Sequence, residues 1–330
     1  MYSLLPFALL CGYMEDVMNK DNTEQVRLSV SVSPHIRGSV TTRSIMMDVL
    51  IALAPAFIAS ILIFGARAAL VVCVCAVTCV LCEFIFEKAM KKPITIKDCS
   101  AIITGVILAF NLPVNIPIWQ AVFGSAVAII LIKQLFGGLG KNFANPAATA
   151  RIVMFISFSV SMTTWILPLD GITGATPLAL IAKGLNNELP KLSDMLLGLR
   201  CGALGETCAP ALLLGGIYLI IRGVITWHTP VMFIASVFVF TALLGQEPVY
   251  QILSGGLLLG AIFMATDYVT TPHTIGGRLI FGLGAGLFTV IFRVYGSFPE
   301  GVSFAILLMN ILTPYINRFT ENKPMGGVKP

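Results

Sequence analysis

The run Asp170-Gly171-Ile172-Thr173-Gly174-Ala175-Thr176-Pro177-Leu178 sets a carboxylate and two hydroxyls among residues with little or no side chain. Asp170-Gly171 is a turn dipeptide, because glycine accepts the backbone angles a tight turn needs. Thr176 is placed to cap a helix. Its oxygen accepts an orphan N–H two or three residues on, and Pro177 fits the first helical position, where no N–H is required. One or two helical turns over 178–183 are expected to follow. The same arrangement suits group transfer to Thr176. The acceptor must be a hydroxyl, Gly174 and Ala175 leave room beside it, and a helix N-terminus favours the negative charge of a phosphate. Cap and acceptor are compatible in geometry, so the residues alone leave both readings open.

Other polar residues stand out against an apolar background. The glycine-rich run 137–146 contains Asn142 and Asn145, and Asn145 is placed to cap a helix that starts at Pro146. Asp267 ends an apolar stretch beside Thr266, Thr270 and Thr271. That set of oxygens suits a hard cation such as Na⁺ or a proton relay, and a pair with a nearby cation is the alternative. Glu83 lies in another apolar stretch, where Glu87 and Lys88 place it near a membrane surface. Arg151 is one or two turns into a span and is expected to snorkel back to the surface. Cys75, Cys79 and Cys82 share one helical face. Thiolates there suit a soft metal or an iron–sulfur cluster, yet a triad on one face lacks opposed ligands, so packing is the expected role. His35, His228 and His273 show no metal-ligand spacing.

The elements that carry these residues need lipid as their solvent. Of 330 residues, 57% are apolar and 11% charged, and the mean hydropathy is +0.91. Soluble domains carry about 25% charged residues. The net charge of +5 includes no basic run interleaved with aromatics, which excludes a nucleic-acid surface. Ten apolar segments are expected, at 47–66, 68–87, 99–113, 117–136, 146–164, 208–225, 230–246, 250–267, 278–293 and 302–317. Several are shorter than the roughly 20 residues a perpendicular crossing needs. The third and eighth run into Asn111-Leu112-Pro113 and Asp267-Tyr268, so these spans are expected to break within the membrane around an enclosed site.

With the N-terminus inside, the inner segments carry fifteen Lys and Arg and the outer ones five. The bias predicts both termini in the cytoplasm and the 165–207 loop outside. Residues 2–13 lack a basic n-region, so no cleavable signal is expected; they read as an upstream extension of a chain starting at Met14 or Met18. Residues 105–117 (GVILAFNLPVNIP) resemble 260–272 (GAIFMATDYVTTP). An odd number of spans per copy inverts the second, so the expected fold is an all-α polytopic membrane protein of two inverted five-helix repeats. The expected parts are an arm at 1–46, repeats at 47–164 and 208–317, the external loop at 165–207 and a tail at 318–330.

The segment 170–176 matches D-x-x-[S/T]-G-A-[T/S], the acceptor motif of the bacterial flavin transferase family. It falls on the loop between two five-span halves. Ser33-Pro34-His35-Ile36-Arg37, 136–147, Gly202-Ala203-Leu204-Gly205-Glu206-Thr207 and Met264-Ala265-Thr266-Asp267 flank it. Together these stretches resemble the NqrB/RnfD family over roughly residues 28–318, and the short arm is more similar to the RnfD branch. The resemblance implies FMN joined to Thr176 as a phosphodiester, with Asp170, Thr173, Gly174 and Ala175 forming the recognised motif. It also implies a second, non-covalent riboflavin near Asn142 and Asn145. It implies a subunit of a complex that passes electrons between ferredoxin and NAD and moves Na⁺ or H⁺, in a bacterial or archaeal plasma membrane. The implied partners are an RnfG-like flavoprotein, RnfA-, RnfE- and RnfC-like subunits, and the flavin transferase. An NqrB-like quinone-reductase subunit and a non-redox inverted-repeat transporter are the alternatives; the second has no need of a flavin acceptor.

Overall fold

The structure, a computed structural model, describes residues 41–168, 171–206, 208–296 and 300–321. Asp170, His35, residues 2–13 and most of the expected arm and tail lie outside the described residues. Helix α1 is Thr42–Phe64, α2 Ala66–Ala89, α3 Ser100–Phe110, and α4 Ile118–Ala126, which widens into a π-helical turn over Val127–Gln134. Helix α5 is Pro146–Ser157. The loop contributes α6, Pro177–Ala182, and α7, Leu192–Leu197. The second half contains α8 Ala209–Ile221, α9 His228–Leu243, α10 Pro248–Leu253 and α11, Leu257–Leu259. A π-helical turn over Gly260–Met264 extends α11; α12 Ile275–Tyr295 and α13 Val302–Thr320 follow.

Helices α1, α2, α12 and α13 are long and apolar enough to cross a membrane, and α3, α4, α5, α8 and α9 are shorter apolar helices. Backbone groups close their hydrogen bonds within each helix, which is what a lipid solvent demands. The third segment stops at Phe110, as its polar terminus predicts. Three boundaries differ from expectation. Helix α1 starts at Thr42, because Thr41 caps it by accepting from the Ser44 N–H. The segment 250–267 is not one helix: Ser254-Gly255-Gly256 separates α10 from α11, and both glycines take positive φ (66° and 67°) that few other residues adopt. The segment 146–164 is interrupted at Phe158 and resumes only as the short helix Ser159–Thr163. One departure from all-α is an antiparallel two-residue ribbon of β1 (Trp165–Ile166) with β2 (Thr173–Gly174).

Packing relies on close backbone approach, because lipid gives helices no hydrophobic reason to associate. A Cβ on Gly105 would stand 2.7 Å from the Ala76 Cα, so α3 lies directly on α2. A Cβ on Gly282 would stand 2.9 Å from the Thr229 carbonyl oxygen, so α12 lies on α9. Helix α1 packs on α8 and α5 on α13, joining the two halves. Phe110, Leu112, Phe233 and Phe281 are fully buried in the shared core, while large apolar residues such as Leu62, Val160, Ile221 and Phe319 face outward.

Candidate functional site

Thr176 caps α6: its Oγ1 accepts from the Ala179 N–H at 3.3 Å, with Pro177 in the first position. The expected helix therefore forms and ends at Ala182. Thr176 is buried, with 5% of its surface exposed, whereas Thr173, Gly174 and Ala175 are exposed. The ribbon fixes the approach to the cap. Gly174 pairs with Trp165, and a Cβ on Gly174 would stand 2.8 Å from Cys201 Sγ. Gly174 thus has a packing reason as well as openness toward a ligand. Burial pushes the Cys201 thiol above its ordinary pKa, which makes it a packing residue, not a nucleophile. Helix α6 rests on α10 and α12, and Leu178 lies against Gly255 at the α10–α11 break.

Asn142, Asn145 and Asp267, far apart in sequence, line one cavity. About 830 Å³ of empty space lies within it, the open solvent at its mouth included. Its walls are apolar, with Ile103 and Ile107 from α3, Ile262 and Phe263 from the α11 extension, and Met46 and Val49 from α1. Asn145 holds two roles. Its Oδ1 accepts from Ala147 and Ala148 N–H at 3.0 and 3.2 Å, and its Nδ2 donates to the Met264 carbonyl at 3.2 Å. Asn142 donates to the Ala144 carbonyl at 3.1 Å, and its amide neighbours the Asp267 carboxylate. Asp267 also accepts from Val269 N–H at 3.4 Å and Thr270 Oγ1 at 3.3 Å, and its carbonyl accepts from Thr271 Oγ1. No lysine or arginine pairs with Asp267 among the described residues, so the nearby-cation reading is not what the fold builds.

The structure corrects one expectation and adds a partner to another residue. Glu83 is fully buried within the protein, with Lys133 Nζ at 2.6 Å and Gln134 Nε2 at 2.8 Å. Lys133 and Gln134, consecutive in the π turn of α4, both reach Glu83 on α2. Arg151 does not snorkel. It reaches into the bundle and sets Nη2 2.5 Å from Glu300 Oε2. Both pairs join residues about 50 to 150 positions apart, which no local pattern reveals; the signal was their presence as rare charges in apolar segments. Lys133 and Ser100, 2.7 Å apart, also line the cavity and were not singled out from sequence. Cys75 and Cys79 are buried packing residues, and no group of three His, Cys, Asp or Glu is placed to hold a metal among the described residues.

Known proteins resemble the chain over nearly its whole length. The model of the NQR2, RnfD, RnfE family matches residues 29–326. The D subunit of the Na⁺-translocating ferredoxin:NAD⁺ oxidoreductase complex of Acetobacterium woodii is 47% identical over 309 residues, covering 92% of this chain and 97% of the relative. The D subunit of the proton-translocating ferredoxin:NAD⁺ oxidoreductase complex of Clostridium ljungdahlii is 40% identical, covering 90% and 96%. The D subunit of the ion-translocating oxidoreductase complex of Ectopseudomonas mendocina is 34% identical, covering 90% and 96%. A family model spanning almost the whole chain and relatives matched nearly end to end lead to one conclusion: the chain belongs to the NQR2, RnfD, RnfE family.

Proposed function

We propose that this chain is the flavin-bearing RnfD-type component of an ion-translocating ferredoxin:NAD⁺ oxidoreductase, the activity carried in the names of its relatives. The observation that carries the flavin reading is the placement of Thr176: a capping hydroxyl beside two exposed residues with minimal side chains. Esterification replaces the hydroxyl proton and leaves the oxygen lone pair that accepts from Ala179, so FMN attachment and the cap coexist. Thr176 is too buried for a transferase to reach it as packed, so the six-residue α6 must lift, or attachment must precede its docking.

The cavity fits a non-covalent riboflavin in its chemistry. Apolar walls from α1, α3 and the α11 extension suit a flat ring, and amides at Asn142 and Asn145 stand at one edge. The flavins supply the one- and two-electron chemistry, and the protein contributes spacing, polarity and exclusion of water. Asp267 at the same edge offers oxygens to Na⁺ or a proton.

Inverted five-helix repeats organise both sites. The sequence match of 105 to 260 sets an offset of 155, and several helix ends agree with it. Phe110 maps to 265, and the α11 extension ends at Met264; Pro146 maps to 301, and α13 begins at Val302. Helices α1 and α8, which would correspond, pack together, as do α5 and α13, and a two-fold axis between halves would bring such pairs into contact. The charge bias then sets the termini in the cytoplasm and the Thr176 loop outside, beside an RnfG-like flavoprotein, with RnfA-, RnfE- and RnfC-like subunits completing the complex.

The test is in-gel flavin fluorescence. The chain is expressed with its partner subunits and a flavin transferase, then denatured in SDS. A fluorescent band for the chain and a dark band for Thr176→Val support the reading. A dark wild-type band beside a fluorescent partner flavoprotein removes it and favours the transporter alternative.

A further inference from the structure

Three arginines and Glu206 are buried, and Glu300 is nearly so, at the end of the bundle that holds the 165–207 loop. Arg151 on α5 holds Glu300 at 2.5 Å through Nη2, while its Nη1 donates to Asn111 Oδ1 and Ser303 Oγ, each at 3.2 Å. Arg200 pairs with Glu206 at 3.4 Å and donates to the Glu206 and Leu253 carbonyls. Arg293 donates to the Gln251 carbonyl at 2.6 Å and the Ser254 carbonyl at 2.8 Å. Its unpaired positive charge faces both carboxylates. The cluster is incompletely satisfied: Glu206 Oε2, Arg200 Nε, Arg293 Nε and Ser254 Oγ are buried without partners among the described residues.

The two carboxylates are not equivalent. Glu206 Oε1 is fixed by Arg200 and by the Gly255 N–H at 3.2 Å, and it is enclosed within the α10–α11 break. Glu300 lies in the connection between α12 and α13, is held by Arg151, and keeps 11% of its side chain exposed. Partial exposure allows exchange with water, while burial among apolar helices makes a permanent negative charge costly. We propose that Glu300 is a proton-binding site that takes up and releases one proton at the loop end of the bundle, and that its charge state sets how firmly Arg151 is held. The step is a simple protonation: the carboxylate gains H⁺ from water, becomes a neutral acid, and no electrons move.

Every charged group facing Glu300 enters the balance. Burial raises its pKa first, Arg151 pulls it down, Glu206 raises it again and Arg293 lowers it; Arg200 faces it as well. The outcome is a value pushed up to about 7. Arg151 is the link inward. It bonds Asn111, whose amide lies 3.5 Å from Met264 Sδ, and the Met264 carbonyl is held by Asn145 on the cavity wall. A proton on Glu300 removes the ionic half of the hold on Arg151 and leaves Asn111 and Ser303 to share it. The inference goes beyond the flavin reading and does not need a flavin in either site.

The experiment is pH-difference infrared spectroscopy of the assembled complex in nanodiscs, in H₂O and D₂O. A carboxylic-acid C=O band that grows as pH falls through about 7, shifts in D₂O and is missing in Glu300→Gln is the expected result. Arg151→Lys, which keeps the charge but loses the two-pronged reach, moves the midpoint upward. If Glu300→Gln fails to assemble, Glu300→Asp keeps a titrating acid, and its band changes frequency and midpoint. A wild-type complex with no neutral-range carboxyl band, or a band that persists unchanged in Glu300→Gln or Glu300→Asp, overturns the proposal.

Discussion

The attachment loop and the cavity stand at opposite ends of α11 and its π extension, and they are built in opposite ways. At one end Leu178 rests on Gly255, and Thr176, the proposed acceptor, belongs to a single local turn. At the other end Asn145 holds the Met264 carbonyl, and the cavity draws on α1, α3, α4, α5, α8, α11 and the loops between them. A covalent site needs one hydroxyl in the right local frame, because the bond itself supplies retention. A non-covalent site needs enclosure, so many elements must agree before it exists. Local order therefore governs the first site and tertiary packing the second.

The largest effect should come from separating cap and acceptor at Thr176. Asparagine caps as well as threonine but offers no hydroxyl. Thr176→Asn is expected to lose covalent flavin completely in the gel assay while keeping the stability of the wild type. Thr176→Val loses both functions and should be about 1 kcal/mol less stable as well. Fluorescence surviving in Thr176→Asn would move the attachment to another residue and dissolve the contrast between a one-residue site and an assembled one.

The next largest effect belongs to the cavity end. Lys133→Ala strands Glu83, which is wholly buried and already has one unpartnered oxygen. Removing one member of a buried pair costs about 3–5 kcal/mol, enough to abolish recovery of folded complex or lower its thermal midpoint sharply in detergent. The double change Lys133→Met with Glu83→Gln removes both charges and should recover much of that loss. If the single variant is as stable as wild type, the pair contributes nothing.

Legibility in the sequence follows the same division. Thr176-Pro177 and Asn145-Pro146 declare helix starts by local chemistry, and the structure forms both caps as read. The early stop of the third segment was legible because Asn111 and Pro113 end an apolar run. The break at Ser254-Gly255-Gly256 was missed because the uniformly apolar run that follows it, Leu257 to Ala265, reads as one span with Ile252 and Leu253. Asn142, Asn145 and Asp267 were each singled out, but their meeting in one cavity depends on α3 and α11 stopping short, which no window of sequence expresses. The ion pairs Glu83–Lys133 and Arg151–Glu300 were illegible for a similar reason. Residue type announced a buried charge, but only packing named its partner and moved Arg151 inward.

A smaller effect isolates the cavity from the loop. Asn145→Asp keeps the oxygen that caps α5 but replaces the amide donor to Met264 with a carboxylate facing a carbonyl. The cap contribution survives and the contact with α11 becomes repulsive, a change of about 1–3 kcal/mol for one buried polar group left unmatched. Non-covalent flavin extracted by mild acid should fall, while in-gel fluorescence at Thr176 stays at its wild-type level. Loss of both signals would show that the two sites depend on one another and are not independently built.

The smallest effect is expected where α1 meets α8. Arg222 lies 3.2 Å from Asp48, hardly farther than Lys133 from Glu83, but 53% of its side chain is exposed. Water screens that pair, and exposed pairs contribute about 0–1 kcal/mol. Tyr218 also donates to Asp48 at 2.9 Å and remains when the arginine is removed, so the carboxylate keeps a partner. Arg222→Ala should therefore leave the thermal midpoint within a degree or two of wild type, with both flavin signals intact. A larger loss would mean that Asp48, Tyr218 and Arg222 act as one unit clamping α1 to α8. The contact between α1 and α8 would then contribute stability that burial alone does not suggest, and it would rest on polar contacts as much as on close packing.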